Sequence, residues 1–327
     1  LQIADLIDRI ICNLQSGAIM ARPDLIKIDS VRQPGLSWRR VIARRLAQRP
    51  WLQLLLLLSP PAGWMLLLYL LPLAFLFLLS LWQVRDYNIV REWTLANYRE
   101  IFARPVWLTV LLRTVLIAAG VTVVAAVLAF PLAYYVARFS TPRWRYLLFL
   151  AVLVPLWSSY LVRVFAWKII LGRNGILNGF LMSIGLTATP IDAFLYSDTA
   201  MFITFVHVWL PFMVLPVYTA LERIPNSLLE ASGDLGARGW MTFRQVIWPL
   251  AFPGIMAGSV FVFSLTMGDF ITARLVGGGN QLIGNVIADQ FGTAFNYPFG
   301  AALSSLALVV LFIYLLVAGR GGALENL

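Results

Sequence analysis

Long uncharged apolar runs constrain this chain more than any other feature. Ala62 to Trp82, Thr114 to Val136, Thr199 to Leu221, Gln245 to Gly268 and Tyr297 to Gly319 carry no Asp, Glu, Lys or Arg. A further run starts near Tyr146 and stays neutral to Val162, then meets Arg163 and Lys168. At about 1.5 Å of rise per helical residue, about 20 residues cross a hydrocarbon core about 30 Å thick. In lipid, backbone polar groups must be satisfied within the segment, and these runs are too long for barrel strands. The runs therefore predict six transmembrane helices. Composition agrees: 60% of residues are hydrophobic and 12% charged, against about 45–50% and about 25% in soluble domains. The expected fold class is an all-α integral membrane protein.

Prolines inside the runs (Pro72, Pro131, Pro155, Pro211, Pro216, Pro249 and Pro253) predict kinks rather than helix ends. Gly254 and Gly258 form a G-x-x-x-G pair, the spacing of close helix packing.

The net charge of +10 reads first as a topology signal, because basic residues gather on cytoplasmic flanks. Arg39, Arg40, Arg44, Arg45 and Arg49 precede the first run. Arg138, Arg143 and Arg145 lie in the second connection, Arg223, Arg238 and Arg244 in the fourth, and Arg320 at the end. The bias places both termini in the cytoplasm and leaves no need for a nucleic-acid partner. Residues 1–50 read as a partly helical cytoplasmic extension, 51–320 as the membrane domain, and 321–327 as a cytoplasmic tail.

Catalytic chemistry finds no constellation. His207 is the sole histidine and Cys12 the sole cysteine, so neither a metal set nor an internal disulfide can be drawn. Gly277-Gly278-Gly279 is not followed by Lys-Ser/Thr, so it is no phosphate loop; it reads as a turn before a short helix, Leu282 to Phe291. No catalytic residue, cofactor or ATP site of its own is expected. A self-sufficient secondary transporter would need carboxylates at mid-membrane, and the six runs contain none.

One polar patch, EASGDLGARGWMTFRQVIWPLAFPG from Glu230 to Gly254, interrupts the apolar pattern between the fourth and fifth runs. Ser227 followed by Glu230 reads as a capping box. Leu228, Ala231, Ser232 and Leu235 fall on one helical face. Gly236 stands where a left-handed stop belongs. The spacing predicts a two-turn helix outside the lipid, within a loop at about 222–244, suited to docking a cytoplasmic protein.

This patch resembles the E-A-A-x-x-x-G-x₉-I-x-L-P signature of permease subunits of bacterial ABC importers. Glu230, Ala231, Gly236 and Pro249 match, whereas Ser232, Val246 and Trp248 depart from it. Val154 to Asn178, Phe212 to Pro225 and Leu282 to Ala302 look like the spermidine/putrescine importer permeases, a likeness that covers roughly Ala62 to Arg320. The resemblance implies the type I importer fold in the bacterial inner membrane. It implies a second homologous permease, two copies of an ABC ATPase, an extracytoplasmic substrate-binding protein, and alternating access. A related permease for another small solute is the alternative. It also implies that Ser227, Leu228, Glu230, Ala231, Ser232, Leu235, Gly236 and Arg238 meet the ATPase.

A polycation path needs carboxylates or aromatic faces. The candidates are Asp269, Trp157, Tyr160 and Trp167, with Arg163 and Lys168 as structural braces; a salt bridge from Asp269 to either cation is the competing expectation.

Overall fold

The computed structural model describes residues 50–322 apart from 87 and 195. The N-terminal extension, but for Pro50, and positions 323–327 of the tail lie outside the described residues. The chain divides into two units, 1–68 and 69–327. The described part of the first is helical, the beginning of α1 (Pro50–Ser80). Apolar residues occupy every side of that helix, which suits a lipid-surrounded span.

In the second unit the chain continues as a hairpin of β1 (Gln83–Arg85) and antiparallel β2 (Asn88–Val90), then α2 (Ala96–Ala103) and α3 (Pro105–Arg138). Next come α4 (Pro142–Trp157), α5 (Tyr160–Ile170), α6 (Ile176–Ser183) and α7 (Asp198–Glu222). After α8 (Asn226–Asp234), α9 (Gly239–Thr242) passes through a π turn at Phe243–Ile247 into α10 (Trp248–Gly268). Helices α11 (Ile271–Val276), α12 (Ile283–Gly292) and α13 (Tyr297–Arg320) complete it.

Five helical stretches are long and apolar enough to cross a membrane: Leu57–Ser80, Pro105–Arg138, Asp198–Glu222, Gly239–Gly268 and Tyr297–Arg320. The third expected span is not one straight helix. It breaks between α4 and α5, which meet at 94°. Pro155 has no N–H to give the carbonyl four residues back. Ser158 and Ser159 then adopt extended ψ values of 148° and 136°. The Ser158 hydroxyl donates to the Pro155 carbonyl at 2.7 Å, so the break satisfies its own backbone.

The bent pair still returns the chain from one end of the bundle to the other. Arg113 near the start of α3 pairs with Asp198 at the start of α7. Arg138 at the end of α3 reaches Leu221 near the end of α7. Thus α3 and α7 run parallel, and α4–α5 must carry the chain back between them. Helix α10 runs opposite to α7: a Cβ on Gly254 would stand 2.4 Å from the Ala220 Cβ, and one on Gly258 2.6 Å from the Met213 Sδ. Only glycines let these two axes approach so closely. The core is the apolar layer where α3, α7 and α10 meet, including Val121, Phe205, Met213, Ala251 and Val262.

The π turn has a sequence cause. Pro249 cannot donate to the Gln245 carbonyl, and Pro253 cannot donate to that of Pro249. The Trp248 N–H instead reaches five residues back to the Phe243 carbonyl. Rings stabilise the wider turn: Trp240 stacks on Phe243 at 5.3 Å, and Phe130 of α3 meets Phe243 edge-on at 5.7 Å.

Candidate functional site: a carboxylate at a helix break and an outward-facing polar helix

Helix α10 ends at Gly268, and Asp269 turns the chain into α11 with φ −76° and ψ 128°. The turn leaves N–H groups at the head of α11 without intrahelical partners. Asp269 supplies one: its Oδ1 accepts from the Thr272 N–H at 2.8 Å. Its Oδ2 accepts from the Thr272 hydroxyl at 3.3 Å and from the Tyr160 hydroxyl at the head of α5. The carboxylate is 8% exposed, and three donors offset the cost of burying it. Helix α12 seals the other side. A Cβ on Gly284 would lie 2.7 Å from the Asp269 carbonyl oxygen, and the Asn285 amide donates to the Phe270 carbonyl at 2.9 Å.

The ring of Tyr160 stacks on Trp209 of α7, with centroids 5.4 Å apart and planes at 11°. Tyr160, Trp209 and Asp269 line a cavity of about 280 Å³ with Ser264, Leu265 and Ile271. The arrangement offers one buried negative group beside two ring faces, the equipment for holding an ammonium group.

The other candidate path residues lie elsewhere. Trp157 is 80% exposed at the end of α4. Trp167 donates its indole N–H to His207 Nδ1 at 2.9 Å. Arg163 donates to the Val208 carbonyl at 3.3 Å, and Lys168 stands over the Tyr196 ring at 5.8 Å. Among the described residues Asp269 makes no ion pair, so the expected bridge to Arg163 or Lys168 is replaced by the Tyr160–Thr272 hydrogen bonds. Trp209 and Thr272 escaped the sequence reading. The D-x-x-T spacing from Asp269 to Thr272 carries a capping signal that could have found the second. Nothing local marks the first.

At the opposite end of the bundle, α8 projects from the end of α7. It begins at Asn226, with Pro225 as the preceding cap and no side-chain capping bond. The expected Ser227–Glu230 box is therefore absent: Ser227 already lies inside the helix. Pro225 fixes the entry at φ −69°, and Arg138 occupies the Asn226 oxygen. Gly236, at φ +79°, closes the helix. The Ala237 N–H reaches the Ser232 carbonyl at 3.0 Å and the Gly236 N–H the Gly233 carbonyl at 2.8 Å, the paired bonds of a left-handed stop.

The expected apolar face divides. Ser232 is buried and bonds the Thr242 hydroxyl at 2.9 Å, while Leu229 packs on the core. Leu228, Glu230 and Ala231 are exposed with Ser227, Gly236 and Arg238, and Leu235 is 89% exposed. Two leucines and an alanine thus point away from this chain.

Relatives fit this geometry. The family described as "Binding-protein-dependent transport system inner membrane component" matches residues 111–320. The inner membrane ABC transporter permease protein YdcU of Escherichia coli (strain K12) is 39% identical, over 92% of this chain and 98% of its own. The spermidine/putrescine transport system permease protein PotB of the same organism is 38% identical, over 81% of this chain and 96% of its own. A chain of the bacterial alginate ABC transporter, solved in complex with alginate pentasaccharide-bound periplasmic protein, shares the fold. Its TM-score is 0.67 at 16% identity, covering 87% of this chain and 96% of that one. The chain therefore belongs to the binding-protein-dependent inner membrane component family and is the multi-pass inner-membrane permease subunit of a bacterial ABC importer.

Proposed function

We propose that this permease imports polyamines, moving them by alternating access between itself and a second, homologous permease. The observation that carries this reading is Asp269, a buried carboxylate beside the stacked rings of Tyr160 and Trp209 at the rim of a cavity. A flexible polycation can exchange an ammonium between that carboxylate and the ring faces without needing a rigid pocket. The 38% identity to a spermidine/putrescine permease supports the same substrate class.

Energy enters at the other end. Helix α8 is the docking element for one of two copies of an ABC ATPase, and its outward residues Leu228, Ala231 and Leu235 are the contact. The α8 end of the bundle, with Arg138, Arg145, Arg238 and Arg244, faces the cytoplasm together with both termini. An extracytoplasmic binding protein delivers substrate to the end that carries Arg113, Asp198 and the β hairpin. The ATPase shifts populations between two packings; the permease supplies packings close in energy.

A second reading is import of another small solute, with Asp269 serving only as the α11 cap. The three donors already on its oxygens favour it. The deciding experiment is uptake into proteoliposomes by the assembly purified with its own partners. Labelled spermidine or putrescine should accumulate with ATP and the binding protein. Accumulation of a neutral or anionic solute, with polyamines ignored, would select the second reading.

A further inference from the structure

Arg138, the last residue of α3, is read from sequence only as a topology marker. Its guanidinium is committed to one place. One terminal nitrogen, Nη2, donates to the carbonyls of Leu221 and Ile224, each at 2.7 Å. The other, Nη1, donates to the Asn226 side-chain oxygen at 2.9 Å. Leu221 lies in the last turn of α7, Ile224 just beyond it, and Asn226 opens α8.

These acceptors sit where a cation is favoured. Carbonyls in the last turn of a helix lack the usual partner four residues on and lie at its negative pole; the Leu221 carbonyl takes a longer backbone bond, 3.3 Å from the Ile224 N–H. Helix α7 has no basic residue in its last turn, and the parallel neighbour α3 brings the Arg138 cation to it. Helix α8 lacks a side-chain cap of its own, and Asn226 gives its oxygen to Arg138 instead. At the far end of α8, the Ser232–Thr242 hydroxyl pair ties it to α9. The two ends of α8 are thus fixed to different spans: the first to α3 and α7, the second to the helix leading into α10.

We propose that Arg138 is a positioning residue for energy coupling. Its fork holds the head of α8 rigidly to α3, so that displacement of α8 is passed to the α3–α7 pair instead of being absorbed in the 223–225 connection. This rests on the reading of α8 as the ATPase-docking helix. Lysine cannot reproduce the fork: its ammonium is a single point of donation on a flexible stem.

The test uses the full assembly in proteoliposomes, with ATPase and binding protein. The readouts are the ratio of stimulated to basal ATP hydrolysis and the solute moved per ATP. Arg138→Lys should lower the stimulated ratio by about tenfold, the scale of one lost charge-assisted hydrogen bond. Asn226→Leu should lower it several-fold, whereas Asn226→Asp, which keeps an acceptor for Nη1, should retain it. Basal hydrolysis should survive in all three. The proposal is overturned if Arg138→Lys and Asn226→Leu both keep the wild-type ratio, or if Asn226→Leu and Asn226→Asp fall alike. It is overturned too if Arg138→Lys fails to assemble while Asn226→Leu keeps the wild-type ratio, since Arg138 would then serve stability alone. Leu228→Asp separates the underlying reading: if it leaves ATPase binding and stimulation intact, α8 does not dock the ATPase. If it abolishes them while the Arg138 and Asn226 variants stay wild-type, only the positioning role fails.

Discussion

Tyr160 donates a hydrogen bond from its hydroxyl to the Asp269 carboxylate, joining the break between α4 and α5 to the end of α10. Tyr160 begins α5 just after the Ser158–Ser159 break, and Asp269 separates α10 from α11. Each interruption exposes backbone ends that need partners, and each contributes a side chain to the same cavity. Non-helical backbone in a membrane protein is tolerated where it is enclosed by protein or lines a cavity, and both of these ends line one.

Asp269→Asn separates charge from shape. The amide oxygen can still accept from the Thr272 N–H, while the new NH2 makes the Tyr160 and Thr272 hydroxyls turn to accept; thermal unfolding of the assembly reads that cost separately. If the carboxylate holds polyamine, half-maximal uptake should need about tenfold more substrate, and the penalty should largely persist at high salt, because a charge this buried is little screened. Uptake titrations at low and high ionic strength check this. An unchanged titration in a stable complex removes Asp269 from the path and leaves it as a helix cap.

Gly254→Ala should destabilise the bundle by about 1–3 kcal/mol, the usual cost of overpacking a core. The new methyl would meet the Ala220 Cβ at 2.4 Å and the Pro216 carbonyl at 2.7 Å. Thermal unfolding in detergent reads the loss. Gly233→Ala is the control: no heavy atom lies within 4 Å of a Cβ there, and alanine is the better helix former.

Gly236 tests backbone strain without sterics. Nothing lies within 4 Å of a Cβ at this position, yet its φ is +79°. Gly236→Val should cost about 1–2 kcal/mol locally through the left-handed conformation alone and redirect the chain between α8 and α9. Transport should fall while membrane insertion remains normal; Gly236→Asn should be milder, because asparagine tolerates that region. Equal transport by glycine, asparagine and valine would show that the angle between α8 and α9 has no part in coupling.

Sidedness can be read by cysteine labelling after Cys12→Ser. Glu92→Cys and Ser227→Cys both put the thiol on exposed backbone. Glu92→Cys should react from outside and Ser227→Cys only from the cytoplasm. Reaction of Ser227→Cys from outside would remove the docking reading along with the topology.

Much of this architecture is legible because its rules are local. The uncharged runs mark five spans, the glycine pair at 254 and 258 marks the α7–α10 contact, and Gly236 marks the end of α8. The bend between α4 and α5 was less visible because Pro155 is only one of several intramembrane prolines, most of which stay inside continuous helices. The two serines that follow it are what allow the break. Ser227 misled as a cap because Pro225 starts the helix earlier than the capping pattern implies. The stacking of Tyr160 on Trp209 and the destination of Arg138 depend on helices far apart in sequence, and no local pattern encodes either.

If ATP-driven motion enters through the outward face of α8, Leu235, 89% exposed, reports on it directly. A bifunctional reagent anchored at Leu235→Cys, in Cys12→Ser background, should crosslink the permease to the ATPase subunit in membranes. The yield should change between nucleotide-free and ATP-trapped states. Crosslinking confined to lipid or to the second permease, with the ATPase never captured in either state, would contradict that route.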